Sequence, residues 1–586
     1  MDDSVYTVER TLFNGKFSFI FLRNNVNISS LSASLWGGAL LPIVRIKPDF
    51  FNNDAQTNFN ANTHANPGLE IEEIAFSNRN ILIEGIRGTG KTHILKMVRE
   101  SCFEKFEVHR VLPVYLSLAK LSEYEILEDS KFRAHLYTNI VQSAISTIIN
   151  NFSFIEKAGD PLHLKVLKTD APILEAFIDR PIVEVLDEIK ALFEMLNSEL
   201  LSDDVKVVKD QSNNLGAEVA AKWFKLKGES IKKEHIEQIV NTLSHFNASR
   251  YIVNFFNGLN DILELNYTLL LLDEISGTSD KAQIEVFRLL RLIRASTETT
   301  TGTNFIYFIG GVYPPEKTNY PAKIKGHDFD FIQGEDCSME YLEMDVLHDE
   351  YESFFRYITE KRINILHPES SGQTSWIFED DRTFLLAAFT ANGLPRRYFE
   401  ILNNAYSIAS KKFASETDIK RLDYSSVSTA IQNIADSQTL SDNQLTELDL
   451  HYLEKIIIPK LSARNSGAET RNESRDEDKR LPVHMFLSVS RGDRKKLGNL
   501  IYRGIIHNLS RTRKSKSLSP DSGEQKGILL MLDLAVAFYY RVFNVQKSVD
   551  YFQNDLRENA KNGYLYYSTI TLIDPDQGPI QQSFDF

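Results

Sequence analysis

One segment, GIRGTGKT at positions 85–92, constrains the fold of this chain more than any other. It fits the pattern G-x-x-x-x-G-K-[ST]. It follows a short apolar run, NILIEG, and precedes THILKMVRESCF, whose apolar residues have helical spacing. In the order strand, glycine loop, helix, successive backbone N–H groups can turn toward a phosphate. The segment therefore predicts a phosphate-binding loop (P-loop) in an α/β fold.

The residue types in this loop suit phosphate binding. Gly85, Gly88 and Gly90 can adopt backbone angles that other residues avoid. Lys91 would bring positive charge to the β and γ phosphates, and Thr92 would offer its hydroxyl to Mg²⁺ at a helix N-terminus. The alternative, a glycine-rich turn without a ligand, is disfavoured by the flanking strand and helix. The predicted nucleotide contacts are Gly85, Ile86, Arg87, Gly88, Thr89, Gly90, Lys91, Thr92 and His93.

Two acidic residues end another apolar run, YTLLLLDE at 267–274. Ligands of open parallel sheets bind at the carboxyl ends of the strands. Asp273 is therefore predicted to hold Mg²⁺, and Glu274 to orient or deprotonate the attacking water. The alternative is a strand that simply ends in acids.

Apolar runs alternate with helical patterns up to about residue 311, which predicts a parallel sheet with crossover helices. The Asn-rich connector NNDAQTNFNANTHANPG is expected to bury little apolar surface. The predicted organisation is an N-terminal extension and linker at 1–75, a P-loop core at 76–345 with a helical insertion at about 155–250, a helical bundle at 346–440, and a connecting helix with a winged-helix-like domain at 441–586.

Composition excludes several classes of protein. No apolar run approaches the ~20 residues of a membrane-spanning helix, and the polar start, MDDSVYTVER, is unlike a secretion signal. Cys102 and Cys337, the two cysteines, are too few for a disulfide framework or a four-cysteine zinc site. We therefore expect a cytoplasmic protein that does not contact membranes.

With GIRGTGKT, LLLLDE and GLPRRYFE (393–400) together, the chain resembles AAA+ ATPases, nearest to the origin-recognition (replication-initiator) clade, over about 65–435. The resemblance implies ATP and Mg²⁺ as cofactors, hydrolysis of ATP to ADP and phosphate, and a helical lid with a G-x-P-R motif. It also implies that Arg396 is the second sensor, reaching the γ-phosphate. Arg397 lies about 100° further round the helix and would face elsewhere. The alternative for this Pro-Arg-Arg segment is an ordinary helix start.

The chain departs from the family pattern at two places. The run NFIYFIGG ends in glycines where many members have a polar residue, and Tyr313 is interpreted as a packing residue. No arginine lies between Ala295 and Phe355, where ring-forming members place an arginine finger, and Lys323 or Lys325 lacks its bidentate geometry. Oligomerisation stays open. We expect slow or partner-stimulated hydrolysis and a nucleotide switch, as in the related signal-transduction ATPases.

A basic segment from Arg491 to Lys526 has ten Lys or Arg against three acids, in a chain of net charge −14. It reads as a helix (DRKKLGNLIYRG), a strand (IIHNL), a basic loop (SRTRKSKSLSPDSGEQK) and a second strand (GILLML), the order of a winged helix. Such a segment would bind DNA phosphates in a salt-dependent way. The alternatives are a solvated loop and a protein-docking domain. The candidate DNA contacts are Arg494, Lys495, Lys496, Arg511, Arg513, Lys514 and Lys516.

Other chemistry-bearing clusters are weaker. GHDFDF and FEDDR could mimic metal sites, but loop composition explains both. Arg288, Arg291 and Arg294 are interpreted as a solvated or interface face of a helix. Two hypotheses follow: an ATPase coupled to DNA through the C-terminal basic module, and a nucleotide-dependent scaffold that recruits a protein effector. A role in DNA transactions or in anti-phage defence would suit either.

Overall fold

The computed structural model describes the chain with gaps. The described ranges are 6–12, 15–21, 48–51, 55, 59–157, 248–295, 305–342, 344–368, 372–412, 421–439, 445–472, 483–513, 527–543 and 567–575, with isolated positions in 188–195 and at 549 and 552. Most of the insertion predicted at about 155–250 lies outside them, and so do Lys514 and Lys516.

Eleven strands occur in the part of the chain that is described. They are β1 (Tyr6–Leu12), β2 (Gly15–Phe21), β3 (Ile81–Glu84), β4 (Val111–Ser117), β5 (Tyr267–Asp273), β6 (Ile306–Val312), β7 (Ser338–Tyr341), β8 (Phe486–Val489), β9 (Ile506–Arg513), β10 (Gly527–Leu532) and β11 (Tyr567–Thr569). Strands β1 and β2 form an antiparallel hairpin.

The helices of the described ranges lie between and after these strands. They are α1 (Ile71–Phe76), α2 (Lys91–Glu104), α3 (Phe106–His109), α4 (Asp129–Lys157), α5 (Ala248–Ile262), α6 (Asp280–Ala295), α7 (Tyr351–Leu366), α8 (Asp381–Thr390), α9 (Pro395–Lys412), α10 (Tyr424–Ile434), α11 (Glu447–Leu450), α12 (Ile458–Asn472), α13 (Arg491–Lys496), α14 (Gly498–Tyr502) and α15 (Leu534–Tyr539). A π-helical turn, His451–Ile457, joins α11 to α12.

Five strands form one parallel sheet in the order β4-β5-β6-β3-β7. Every residue of β5 is buried, and its leucines alternate between the two faces. Leu269 and Leu271 join one core cluster, whereas Leu270 and Leu272 join the other. A strand that is covered on both faces needs such a continuous apolar run. The predicted α/β parallel sheet is confirmed.

The chain crosses from β3 to the edge strand β4 and returns through β5 to β6, which lies beside β3. It then passes to β7, on the other side of β3. The strand order therefore reverses beside β3, which is where open α/β sheets leave a crevice at their carboxyl edge. The loop 85–90 leaves β3 at this edge and runs into α2. The fold thus brings the predicted phosphate loop and the end of β5 to one side of the sheet.

A second sheet lies near the C-terminus, with strand order β11-β8-β10-β9. Strands β9 and β10 are antiparallel neighbours that follow α13 and α14, as the winged-helix pattern predicts. We call residues 483–575 the C-terminal sheet region, and helices α7 to α10 the helical bundle. Their buried residues form one continuous cluster, which also takes in Phe50 and Phe51.

Two local predictions are wrong. The predicted helix 493–504 is divided at Leu497 into α13 and α14. The basic loop was expected to begin at Ser510, but β9 extends to Arg513 because its residues up to that point pair with β10. None of the described helices is both long enough and apolar enough to cross a membrane.

Candidate nucleotide site

The glycine loop curves around the N-terminus of α2. Gly88 and Gly90 have φ angles of +97° and +101°, a region that residues with a Cβ rarely occupy. Gly85 is needed for space and not for its φ angle, since a Cβ there would lie 2.6 Å from the hydroxyl of Thr89. The loop therefore requires glycine at these positions for two different reasons.

Lys91, the first residue of α2, turns back over the loop. Its Nζ donates to the carbonyl oxygens of Gly85, at 2.5 Å, and of Ile86, at 3.0 Å. The same ammonium lies 4.4 Å from the ring centroid of Tyr313. Lys91 is buried, whereas Thr92 beside it is half-buried. The lysine charge is therefore held in the middle of the loop, where phosphate oxygens would need it.

The acid pair lies at the carboxyl end of β5. Asp273 is buried, and its Oδ1 accepts from the backbone N–H of Glu274 at 2.9 Å. Its Oδ2 accepts from the hydroxyl of Tyr115 at 2.8 Å. Each carboxylate oxygen thus has one protein donor and keeps a lone pair for a cation. Threonine and carboxylate oxygens are the hard ligands that Mg²⁺ prefers, so Thr92 and Asp273 suit the predicted metal.

Glu274 has a φ angle of +61°, in the left-handed region that glutamate seldom adopts. Its Oε2 accepts a hydrogen bond of 2.9 Å from the hydroxyl of Ser117. Ser117 ends β4 and pairs in register with Asp273 on the neighbouring strand. The unusual backbone and this hydroxyl together fix the direction of the Glu274 carboxylate.

Arg396 and Arg397, at the start of α9, point to different parts of the molecule. The backbone N–H of Arg396 donates to the carbonyl of Gly88 at 3.4 Å, and its side chain lines the cavity beside the loop. Arg397 is buried in an ion pair with Asp533 of the C-terminal sheet region. Two successive residues of one helix therefore contact the glycine loop and the C-terminal sheet region.

A single cavity of about 470 Å³ joins these groups. Its wall includes Lys91, Asp273, Glu274 and Arg396. Part of the Asn-rich connector also lines it, together with side chains of α7 and α9. These residues are Phe59, Asn60, Thr63, Arg362 and Phe399. None of the connector's described residues is buried, as expected, although the segment contributes to the wall of the cavity.

The connector end of the cavity is rich in aromatic rings and cations. The rings of His64 and His93 are stacked with centroids 5.3 Å apart, and Phe59 lies 5.2 Å from His93. Burial, with a smaller effect from nearby cations, lowers the pKa of His93 to about 3 and that of His64 to about 4. The guanidinium of Arg362 stacks 3.5 Å from the ring centroid of Phe399. Both histidines are therefore neutral at pH 7.

No protein-family model matches this chain, and no curated protein does. Among solved structures it is similar to the Aeropyrum pernix ORC1 protein in complex with DNA, at 12% identity and a TM-score of 0.29, over 84% of this chain and 94% of that one. It is also similar to the Aeropyrum pernix ORC2 protein in ADPNP-ADP complexes, at 13% identity and a TM-score of 0.33, over 86% and 99% of the two chains. Both superpositions are weak, so the fold assignment rests on the strand order and the loop.

The described candidates for DNA contact differ in their surroundings. Arg494 pairs with Glu316 at 2.8 Å, and Lys496 pairs with Asp574 at 2.9 Å. Lys495, between them, is exposed. Arg511 and Arg513 lie on β9, next to the residues that lie outside the described ranges. Of the three candidates whose side chains the structure describes, Arg494 and Lys496 are thus engaged with carboxylates.

The three arginines of α6 hold the loop that follows β6. Arg288 pairs with Asp328 at 2.6 Å, and Arg294 pairs with Asp336 at 3.1 Å. Arg291 donates to the backbone carbonyl of Asp330. The Asp330 carboxylate accepts from the backbone N–H of Lys323 at 2.7 Å, so both acids of GHDFDF have structural partners. Within the described ranges, no group of three or more His, Cys, Asp or Glu side chains could hold a metal ion.

Sequence reasoning missed the residues that orient the predicted ones. Tyr115 and Ser117 reach the acid pair from β4, and Tyr313 reaches Lys91 from the end of β6. The interpretation of Tyr313 as a packing residue is incomplete, since its ring faces an ammonium group. The sequence does contain a signal for Ser117, because it is a polar residue at the end of an apolar strand, as Asp273 is.

Proposed function

We propose that this protein binds ATP with Mg²⁺ and hydrolyses it to ADP and phosphate. The observation that carries the proposal is the grouping of the glycine loop, the acid pair and Arg396 around one cavity of about 470 Å³. Backbone N–H groups, a lysine and two carboxylates around one cavity are the parts that phosphoryl transfer to water requires.

Each group has a role in this proposal. The loop amides and Lys91 would bind the phosphates, and Arg396 would add a second positive charge from the helical bundle. Thr92 and Asp273 would hold Mg²⁺, which neutralises charge that develops on the phosphates. Glu274, oriented by Ser117, would accept a proton from the attacking water.

The further proposal is that the nucleotide state is coupled to DNA through the C-terminal basic module. Its support is the cluster of positive charge from Arg491 to Lys526 and the contact of that region with α9 through Arg397 and Asp533. A second candidate is a nucleotide-dependent scaffold for a protein effector. It is favoured by the ion pairs of Arg494 and Lys496 with carboxylates, because these cations would otherwise contact DNA phosphates.

Steady-state ATP hydrolysis with and without duplex DNA tests these proposals. Turnover that vanishes in Lys91→Ala and Glu274→Gln supports the ATPase, and its absence in the wild type contradicts hydrolysis. Binding of a fluorescent ATP analogue separates a protein that binds without turnover from one that does not bind. DNA affinity that falls on charge reversal at Arg511, Arg513 and Lys514 supports the coupling, whereas undetectable DNA binding favours the scaffold.

A further inference from the structure

Two side-chain hydroxyls hold the backbone of Tyr313, the residue that follows β6. Its backbone N–H donates to the hydroxyl of Ser276 at 3.0 Å, and its carbonyl accepts from the hydroxyl of Thr318 at 2.5 Å. Those two hydroxyls are themselves 2.7 Å apart, and both residues are buried. The backbone of Tyr313 is therefore fixed beside Lys91.

The contact between this ring and Lys91 is electrostatically favourable. The face of an aromatic ring carries partial negative charge and attracts an ammonium group within about 6 Å of its centre. Here the distance from Nζ to the ring centroid is 4.4 Å. Burial raises the pKa of the Tyr313 phenol, so the ring remains neutral at physiological pH. Both residues line the cavity, so the contact lies within the candidate site.

The C-terminal sheet region also contacts Tyr313. Tyr502, the last residue of α14, meets Tyr313 edge to face, with ring centroids 5.0 Å apart and an interplanar angle of 77°. This is the geometry that aromatic pairs prefer. The ammonium of Lys317 lies 5.5 Å from the centroid of the Tyr502 ring. Tyr502 is thus held between two residues of the segment that follows β6.

An ion pair fixes the position of α13 and α14 on that segment. Arg494 contacts Glu316 at 2.8 Å, and the Glu316 side chain is only 8% exposed. Gly498 packs on Glu316 so closely that an added Cβ would lie 3.2 Å from the glutamate Cβ. Since a buried ion pair is costly to break, α14 and Tyr502 keep their place against Tyr313.

We propose that Tyr313 positions Lys91 for the nucleotide phosphates, and that Tyr502 of the C-terminal sheet region positions Tyr313. The inference rests on the proposed function and deepens it, because it makes a C-terminal residue part of the nucleotide site. By linkage, bound nucleotide would in turn strengthen the docking of the C-terminal sheet region.

The test measures the dissociation constant of a fluorescent ATP analogue with Mg²⁺ for the full-length chain. Tyr313→Leu removes the ring and is expected to weaken binding roughly three- to tenfold, and Tyr502→Ala roughly two- to fivefold. Tyr313→Phe and Tyr502→Phe keep the rings and are expected to bind within about twofold of the wild type. Tyr539→Ala, whose ring contacts Tyr540 away from β6, is the matched control.

The outcomes separate this inference from the proposal that it rests on. A wild type that does not bind the analogue overturns both. A wild type that binds, with Lys91→Ala impaired and both ring-removing variants unchanged, overturns only the inference. Phe variants as weak as Leu and Ala also overturn it, since the ring would then not be the active feature. The charge exchange Glu316→Arg with Arg494→Glu should bind better than Arg494→Glu alone, and equal affinities would contradict the part assigned to the ion pair.

Discussion

At the scale of single residues, the hydrogen bond from Ser117 to Glu274 restrains the proposed base. Without this hydrogen bond the carboxylate can turn away from the attacking water. We expect Ser117→Ala to lower the rate constant for ATP hydrolysis about fivefold, because a hydrogen bond to a charged group contributes roughly 1 kcal/mol or more. Affinity for the nucleotide should not change, and Ser117→Thr, which keeps the hydroxyl, should behave as the wild type. An unchanged or higher rate constant in Ser117→Ala would contradict the role of Ser117 in aligning Glu274.

His93 gives the fold a dependence on pH. Burial lowers its pKa to about 3 in the folded protein, while His64, Lys96, Lys361 and Arg362 add positive charge around it. In the unfolded chain the histidine takes up a proton near pH 6.5. The contribution of neutral His93 to the free energy of unfolding is therefore fully present above that pH and is lost as the pH drops toward 3. Carboxylates stay ionised down to about pH 5.

The measurement is the midpoint of thermal unfolding between pH 7.5 and pH 5. We expect the midpoint to fall as the pH falls. The loss of unfolding free energy that is due to His93 should reach up to about 2 kcal/mol at pH 5. His93→Gln, which cannot take up a proton, should show a shallower dependence. Equal slopes for the variant and the wild type would contradict the assignment.

At the scale of helices and strands, the helical bundle and the C-terminal sheet region are joined through the ends of two helices. Asp533 caps α15 through the N–H of Val536 at 3.0 Å, and it also accepts from Arg397 and from His507. The neighbouring N–H of Leu534 donates to Asn392 of the bundle, also at 3.0 Å. Two N–H groups in the first turn of α15 are therefore capped, one by Asp533 of the C-terminal sheet region and one by Asn392 of the bundle.

Arg397→Ala tests this junction. It leaves the carboxylate of Asp533 buried without its guanidinium, and removing one partner of a buried pair costs about 3–5 kcal/mol. We expect that loss in urea unfolding. Arg396→Ala, one residue earlier, is the control and should alter stability by less than about 0.5 kcal/mol while weakening nucleotide binding. Equal stability of the two variants would contradict the roles assigned to the adjacent arginines.

Sequence patterns predicted the elements whose signal is local. The runs that became β3 to β6 are apolar because both faces of the sheet are covered, and the glycine loop is defined by backbone requirements at Gly88 and Gly90. Strand β7, SMEY, is short and half-exposed at a sheet edge, so its pattern resembles a loop. Ser117 meets Glu274, 157 residues away, only through the register of β4 on β5. Such pairings arise from tertiary structure, which spacing along the chain does not encode.

At the scale of the whole molecule, the C-terminal sheet region contacts the candidate site in two places. Tyr502 packs on Tyr313, and Gly504 approaches Ile86 of the glycine loop so closely that an added Cβ would lie 3.2 Å from its side chain. Gly504 has a φ angle of +68°, so both its backbone and its surroundings favour glycine. The region that holds the basic module is therefore in direct contact with the loop proposed to bind phosphate.

This arrangement predicts unequal contributions to DNA binding from neighbouring cations. To contact a DNA phosphate, Arg494 would have to leave Glu316, which is nearly buried and would then lack its cation. Lys495 is exposed and needs no such exchange. Each phosphate contact adds about 0.9 to the slope of log affinity against log salt concentration. If duplex DNA binds, Lys495→Ala should reduce the slope by about one, and Arg494→Ala should leave it nearly unchanged.

Fluorescence anisotropy with a labelled duplex, at salt concentrations from roughly 50 to 200 mM, measures these slopes. The charge reversals Arg511→Glu and Arg513→Glu serve as a reference for lost phosphate contacts on β9. If Arg494→Ala lowers the slope as much as Lys495→Ala does, Arg494 leaves Glu316 when DNA binds. In that case DNA would compete directly for the ion pair that holds Tyr502 against the candidate site.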